Sequence, residues 1–184
     1  WSRWGHVMIL NANERGNAGE LARHLLNDRD NEHVELLELR CFVSDSLLVA
    51  MKEFEAIARG SRCQKFLFSV SLNPPGDETP SVEAFERAAA KIEKDLGLEG
   101  QPRAIVFHEK EGRRHAHVVW SKIDGAEMKA INLSFYTRNL TEISKQLYLE
   151  HGWEMPLGLR DKRNRDPLTF TLEEWLQAKR AKHD

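Results

Sequence analysis

The chain has 184 residues, 41% of them hydrophobic, which suits one globular domain with a buried core and leaves no room for a second catalytic domain. A formal net charge of −2 at pH 7 argues against a protein that coats nucleic acid through bulk positive charge. No apolar run approaches a membrane span, no signal peptide is expected, and Cys41 and Cys63 lack metal spacing, so a soluble cytoplasmic protein with free thiols is the expectation.

Residues 5–11 predict a first strand, followed by a polar turn over residues 11–16. Asn17 then caps a helix to about residue 27, with Leu21, Leu25 and Leu26 on its apolar stripe. Residues 33–39 read as a short strand. Ser44 or Ser46 opens a helix through Ala58 that buries Leu47, Leu48, Met51, Phe54 and Ile57, and Gly60 ends it. Residues 64–72 alternate Phe66, Phe68, Val70 and Leu72 against Leu67, Ser69 and Ser71, the pattern of a central strand, which Pro74 and Pro75 break. Ser81 starts a helix to Leu96 whose buried face is Phe85, Ala88, Ala89, Ile92 and Leu96.

Two strands, residues 104–108 and 115–120, follow, joined by the charged connector 109–114 with its one glycine. A turn over residues 121–125 and the segment 129–133 lead into a helix over residues 135–151, striped by Leu140, Ile143 and Leu147. Residues 155–167 read as a charged linker, and Thr171 caps a last amphipathic helix over residues 172–182. Residues 1–154 therefore form the expected domain, and residues 155–184 pack on it or extend it. The element order argues an α+β two-layer sandwich: a central, mostly antiparallel five-stranded sheet with helices segregated to one face.

If the connector closes symmetrically, His108 lies opposite His115, and the period-2 alternation of a strand puts His117 on the same face. A single strand histidine is usually a solvated polar residue. Three on one rigid face make a half-shell for a divalent ion with open positions for water or substrate oxygens. Basic residues cluster twice, at Lys110, Arg113 and Arg114 beside the histidines and at Arg160, Lys162, Arg163 and Arg165, so a local basic face fits a near-neutral chain.

His108, then His115-Ala116-His117 followed by Val118-Val119-Trp120, resembles the third motif of the conjugative relaxases, the MobA/VirD-like plasmid mobilisation nucleases of the HUH endonuclease superfamily. The resemblance implies a relaxase-like fold, with His108, His115 and His117 holding one divalent ion, Mg²⁺ or Mn²⁺. It implies nicking of single-stranded DNA at an origin of transfer, covalent attachment to the 5′ end, and initiation of conjugative transfer. Accessory relaxosome proteins and a type IV secretion coupling protein in a bacterial cytoplasm are the implied partners. Lys110, Arg114 and Ser121 stand where the family pattern has an acid, a proline and an asparagine, which leaves Glu109 or Glu111 to supply the acid.

The family nucleophile is commonly a tyrosine on the first helix. Here His24 falls at that position, and the only tyrosines, Tyr136 and Tyr148, come after the hairpin. His24 is the expected attacking group, forming a phosphoramidate, with Tyr136 as the alternative. Arg23, Arg113, Arg114 and the cluster Arg160, Lys162, Arg163 and Arg165 are expected phosphate contacts. Two other readings stand beside this one: a rolling-circle replication initiator of the same superfamily, and a non-catalytic DNA-binding module in which the triad is structural.

Overall fold

The computed structural model describes residues 9–29, 31–76, 78–156 and 159. In chain order the elements are β1 (Ile9–Arg15), α1 (Ala18–Leu25), β2 (His33–Arg40), α2 (Leu47–Arg59), β3 (Leu67–Asn73), α3 (Val82–Leu96), β4 (Arg103–Lys110), β5 (Arg113–Ser121), β6 (Ile123–Asp124), β7 (Lys129–Ala130) and α4 (Tyr136–His151). The expected linker and last helix lie outside the described residues, as do Arg160, Lys162, Arg163 and Arg165.

Capping chemistry sets two helix starts. The Asn17 side chain accepts from the Glu20 amide at 2.9 Å to open α1, and Ser81 accepts from the Ala84 amide at 3.3 Å to open α3. Helix α3 stops at Gly97, whose φ of 67° is a left-handed conformation that a glycine adopts without a Cβ penalty.

Strands β1 to β5 form one antiparallel sheet in the order β1-β3-β5-β4-β2. This is the expected α+β class, with helices packed on a five-stranded sheet. Alternation along the central strands feeds two cores. On β3, β4 and β5, Phe68, Val70, Ile105, Phe107, Val118 and Trp120 pack with α3 and α4. Leu67, Ala104, Val106 and Val119 point the other way and pack with α1 and α2. The helices therefore cover both faces, where the sequence led us to expect them on one, because the central strands are apolar on both sides.

Two further departures bear on the site. The first strand covers Ile9–Arg15, so the polar run that reads as a turn is strand. The charged connector shrinks to two residues, because β4 continues to Lys110 and β5 starts at Arg113.

One polar cluster crosses the sheet. Glu93 of α3 is nearly buried and accepts from Trp120 Nε1 at 2.7 Å, Arg103 Nη1 at 2.9 Å and Arg40 Nη2 at 2.7 Å. Arg103 also pairs with Glu38. Two guanidiniums facing two carboxylates tie α3 to β2, β4 and β5 at the end of β4 away from the histidines.

Candidate active site

The β4–β5 turn is built by Glu111 and Gly112, both in the left-handed region at φ 53° and 68°. Two such central residues make a turn whose twist matches that of the flanking strands, which locks the register. His108 pairs with His115, and His117 pairs with Val106 one step further on the same face. The ring centroids lie 5.3 Å (His108–His115), 4.6 Å (His108–His117) and 5.1 Å (His115–His117) apart. One ring nitrogen from each falls within 4.8 Å of the others.

Helix α1 closes the site from above. Ala18, Leu21, Ala22 and Leu25 are buried in the core beneath it, and at its C-terminal end the Leu25 carbonyl lies 2.7 Å from His108 Nε2. A carbonyl only accepts, so Nε2 carries the hydrogen and Nδ1 keeps its lone pair. Burial pushes the His108 pKa down, against that hydrogen bond, and the neighbouring His24 adds to the fall. Burial, and then the repulsion that a second proton would meet beside His108, depress His115 to about 4 and His117 to about 3. The three rings are neutral at pH 7 and offer nitrogen lone pairs to a common point. This donor set fits a divalent cation with open coordination positions.

Residue 24 lies on the exposed side of α1 near its end, and its ring meets His117 edge-on with centroids 5.6 Å apart. The structure thus brings the expected nucleophile to the expected ligand set. Neither tyrosine joins them: Tyr136 packs edge-on against Phe68 at 5.2 Å on the opposite face of the sheet, and Tyr148 is fully buried.

The other sequence candidates scatter. Glu109 is an odd-numbered residue of β4, so it points to the α3–α4 side, where Arg114 pairs with it at 3.1 Å and stacks over Phe107. Glu111 sits at the exposed turn and pairs with Arg113 at 3.4 Å. Neither acid reaches a histidine of the triad, and the group that orients His108 is the Leu25 carbonyl. Arg113 shares the triad's face, and its charge contributes to the lowered His115 pKa. Arg23 is exposed on α1, its Nε donating to the Gly19 carbonyl at 3.3 Å.

Sequence reading missed the β1–β3 side of this face. Asn11 pairs with Ser71, and Ser71 with His117, so these side chains share the triad's row. Asn13 and Ser69 follow one step along, then Arg15. The available signal was alternation within residues 9–15, masked because the outward residues Asn11, Asn13 and Arg15 are all polar.

Among the described residues no helix is long and apolar enough to cross a membrane. Residues 23–153 match the family described as relaxase, MobA/VirD2-like, nuclease domain. No curated protein matches the chain.

Proposed function

The chain belongs to the MobA/VirD2-like relaxase nuclease family, and from that premise we propose that it is a metal-dependent enzyme that nicks and rejoins one DNA strand with His24 as its nucleophile. The observation that carries this reading is His24 at 5.6 Å from His117 on the face where three neutral imidazoles converge. His108, His115 and His117 would hold one divalent ion, Mg²⁺ or Mn²⁺, which when bound would supply positive charge to offset that of the phosphate.

The residues of the chain do the rest. A lone-pair nitrogen of His24 forms an N–P bond as the P–O3′ bond breaks, the 3′ oxygen leaves and takes up a proton, and the 5′ phosphate stays on the protein as a phosphoramidate. Rejoining runs the same step backwards. The Leu25 carbonyl holds the His108 ring in one tautomer, so the ligand set is arranged before the substrate arrives. Arg113, beside His115, contacts a flanking phosphate. The substrate is single-stranded DNA at an origin of transfer in a bacterial cytoplasm, with accessory relaxosome proteins and a secretion coupling protein as partners.

The test is adduct formation on single-stranded oligonucleotides carrying candidate transfer origins, with Mn²⁺ added. The wild type is expected to give a protein–DNA adduct that is labile in acid and stable in base. Substitution His24→Ala should abolish adduct and rejoining while Mn²⁺ affinity persists, because only the attacking atom is lost. An acid-stable adduct that survives His24→Ala and vanishes with Tyr136→Phe would transfer the role to Tyr136. Cleavage with no adduct would make the protein a hydrolytic nuclease.

A further inference from the structure

The face that carries the triad is apolar where helices cover it and polar where they do not. Leu67, Ala104, Val106 and Val119 lie in the core beneath α1 and α2. Toward β1 the same face carries Asn11 and Ser71 level with His117, then Asn13, then Arg15. Asn11 and Asn13 are exposed, and Ser71 and Arg15 are half-buried. The exposed Asn11 and Asn13 leave this edge of the sheet as a polar floor open to a ligand, with the half-buried Arg15 at its inner end beside Leu67.

Arg15 stands out on this floor. Its Nε is buried and has no hydrogen-bond partner, and its guanidinium makes no ion pair among the described residues. The adjacent Glu14 points to the other face and is taken by Lys122 at 2.9 Å. Arg40 and Arg103 also leave Nε unpartnered, but Glu93 and Glu38 hold their outer nitrogens, whereas no carboxylate among the described residues holds the Arg15 guanidinium, which leaves its charge for an anionic ligand. The backbone after it is fixed: a Cβ at Gly16 would meet the Gln64 carbonyl oxygen at 2.1 Å, so only glycine lets the chain pass this close to the approach to β3.

We infer that Arg15 is a phosphate-positioning residue, gripping a backbone phosphate of the single strand where it crosses β3 and β1 beside the triad. The inference rests on the reading of this site as a single-stranded DNA nicking centre. A guanidinium suits the role because its planar fork matches two phosphate oxygens at once. Asn13, and then Asn11 and Ser71 level with His117, supply neutral hydrogen bonds along this edge, so the strand is held on a polar path that ends at the reacting phosphate.

The test uses a fluorescein-labelled oligothymidine, anisotropy titrations over a range of NaCl concentrations, and EDTA throughout so that no metal contributes. Arg15→Gln is compared with the wild type, with Arg15→Lys, and with Arg87→Gln, an exposed arginine of α3 on the other face. Each phosphate contact to a single strand contributes about 0.7 to the slope of log affinity against log salt. Arg15→Gln should flatten the slope by about that amount, while Arg15→Lys and Arg87→Gln keep it. An unchanged slope in an Arg15→Gln protein that still binds would overturn the contact and leave the proposed function standing. A wild type without salt-dependent binding would overturn both. Should Arg15→Gln also melt at a lower temperature, Arg15→Lys decides: a slope that follows charge supports the contact, and one that follows melting temperature overturns it.

Discussion

The His108 ring is held from two sides, by the sheet beneath it and by the Leu25 carbonyl at its Nε2. In the proposed metal site that contact would take the part of the acid that stands in the family pattern and not in this chain. A ligating imidazole needs an acceptor on its far nitrogen, and a main-chain carbonyl serves as well as a carboxylate. Neutrality of the triad has a measurable consequence. Free imidazoles near pKa 6.5 lose metal to protons once the pH falls below that value. With His115 near 4, His117 near 3 and His108 also held below its usual value, Mn²⁺ affinity should hold as the pH falls through 6.5 and decline only at lower pH. Isothermal titration across pH checks this, and a fall that begins at 6.5 would contradict the buried geometry. In the same experiment His117→Ala should weaken Mn²⁺ binding by at least about 100-fold.

Much of this could be read from residue order, and some was missed through parity. The triad is legible because 115 and 117 differ by two and a symmetric turn aligns 108 with 115. Parity also sends Glu109 away from His108, a step the sequence reading did not take when it offered Glu109 as a partner. The Leu25 carbonyl leaves no mark in a sequence, since every residue has one, and only the path of α1 over the sheet selects it.

At the scale of elements, the β4–β5 turn and the Glu93 cluster do different work. Glu111 adopts a φ of 53° that a β-carbon disfavours and that asparagine tolerates. Glu111→Asn should therefore stabilise the protein by about 0.5–1 kcal/mol with Mn²⁺ affinity unchanged. A weakened metal site in this variant would restore Glu111 as a functional acid. Glu93→Gln should destabilise strongly, because it leaves Arg40 and Arg103 facing each other without the charge that all three donors share. Breaking a buried pair costs about 3–5 kcal/mol, and the partial exposure of Arg40 argues for the lower end. Chemical denaturation measures both changes. Helices were easier to locate than the first strand for a physical reason. Apolar stripes on α1 to α4 face large cores, whereas β1 turns Asn11, Asn13 and Arg15 toward an open floor, so its polarity mimics a loop.

At the scale of the whole molecule, three neutral histidines between sheet and helix, His108 buried and His115 and His117 half-buried, link stability to pH and, through the proposed ion, to metal. The unfolded chain binds protons on these rings near pH 6.5, while the folded chain resists them to about 4 at His115 and about 3 at His117. Where the unfolded state binds more protons, stability rises with pH. The protein should therefore lose stability as the pH falls through 6.5 toward the folded values, and the loss should level off below them. A divalent ion that binds only the folded triad acts in the opposite direction. At 100 times its dissociation constant it adds about 2.7 kcal/mol at neutral pH, and the gain fades as protons compete below the folded values. The double variant His115→Ala/His117→Ala separates these effects from general acid unfolding by carboxylates. It should show a shallower acid loss between pH 6.5 and 4 and no rise in melting temperature on adding Mn²⁺. Thermal melts over a pH series, with Mn²⁺ or EDTA, test both arms. An identical acid profile in the double variant would place the pH sensitivity elsewhere, and a Mn²⁺-dependent rise that survives in it would move the metal away from these histidines.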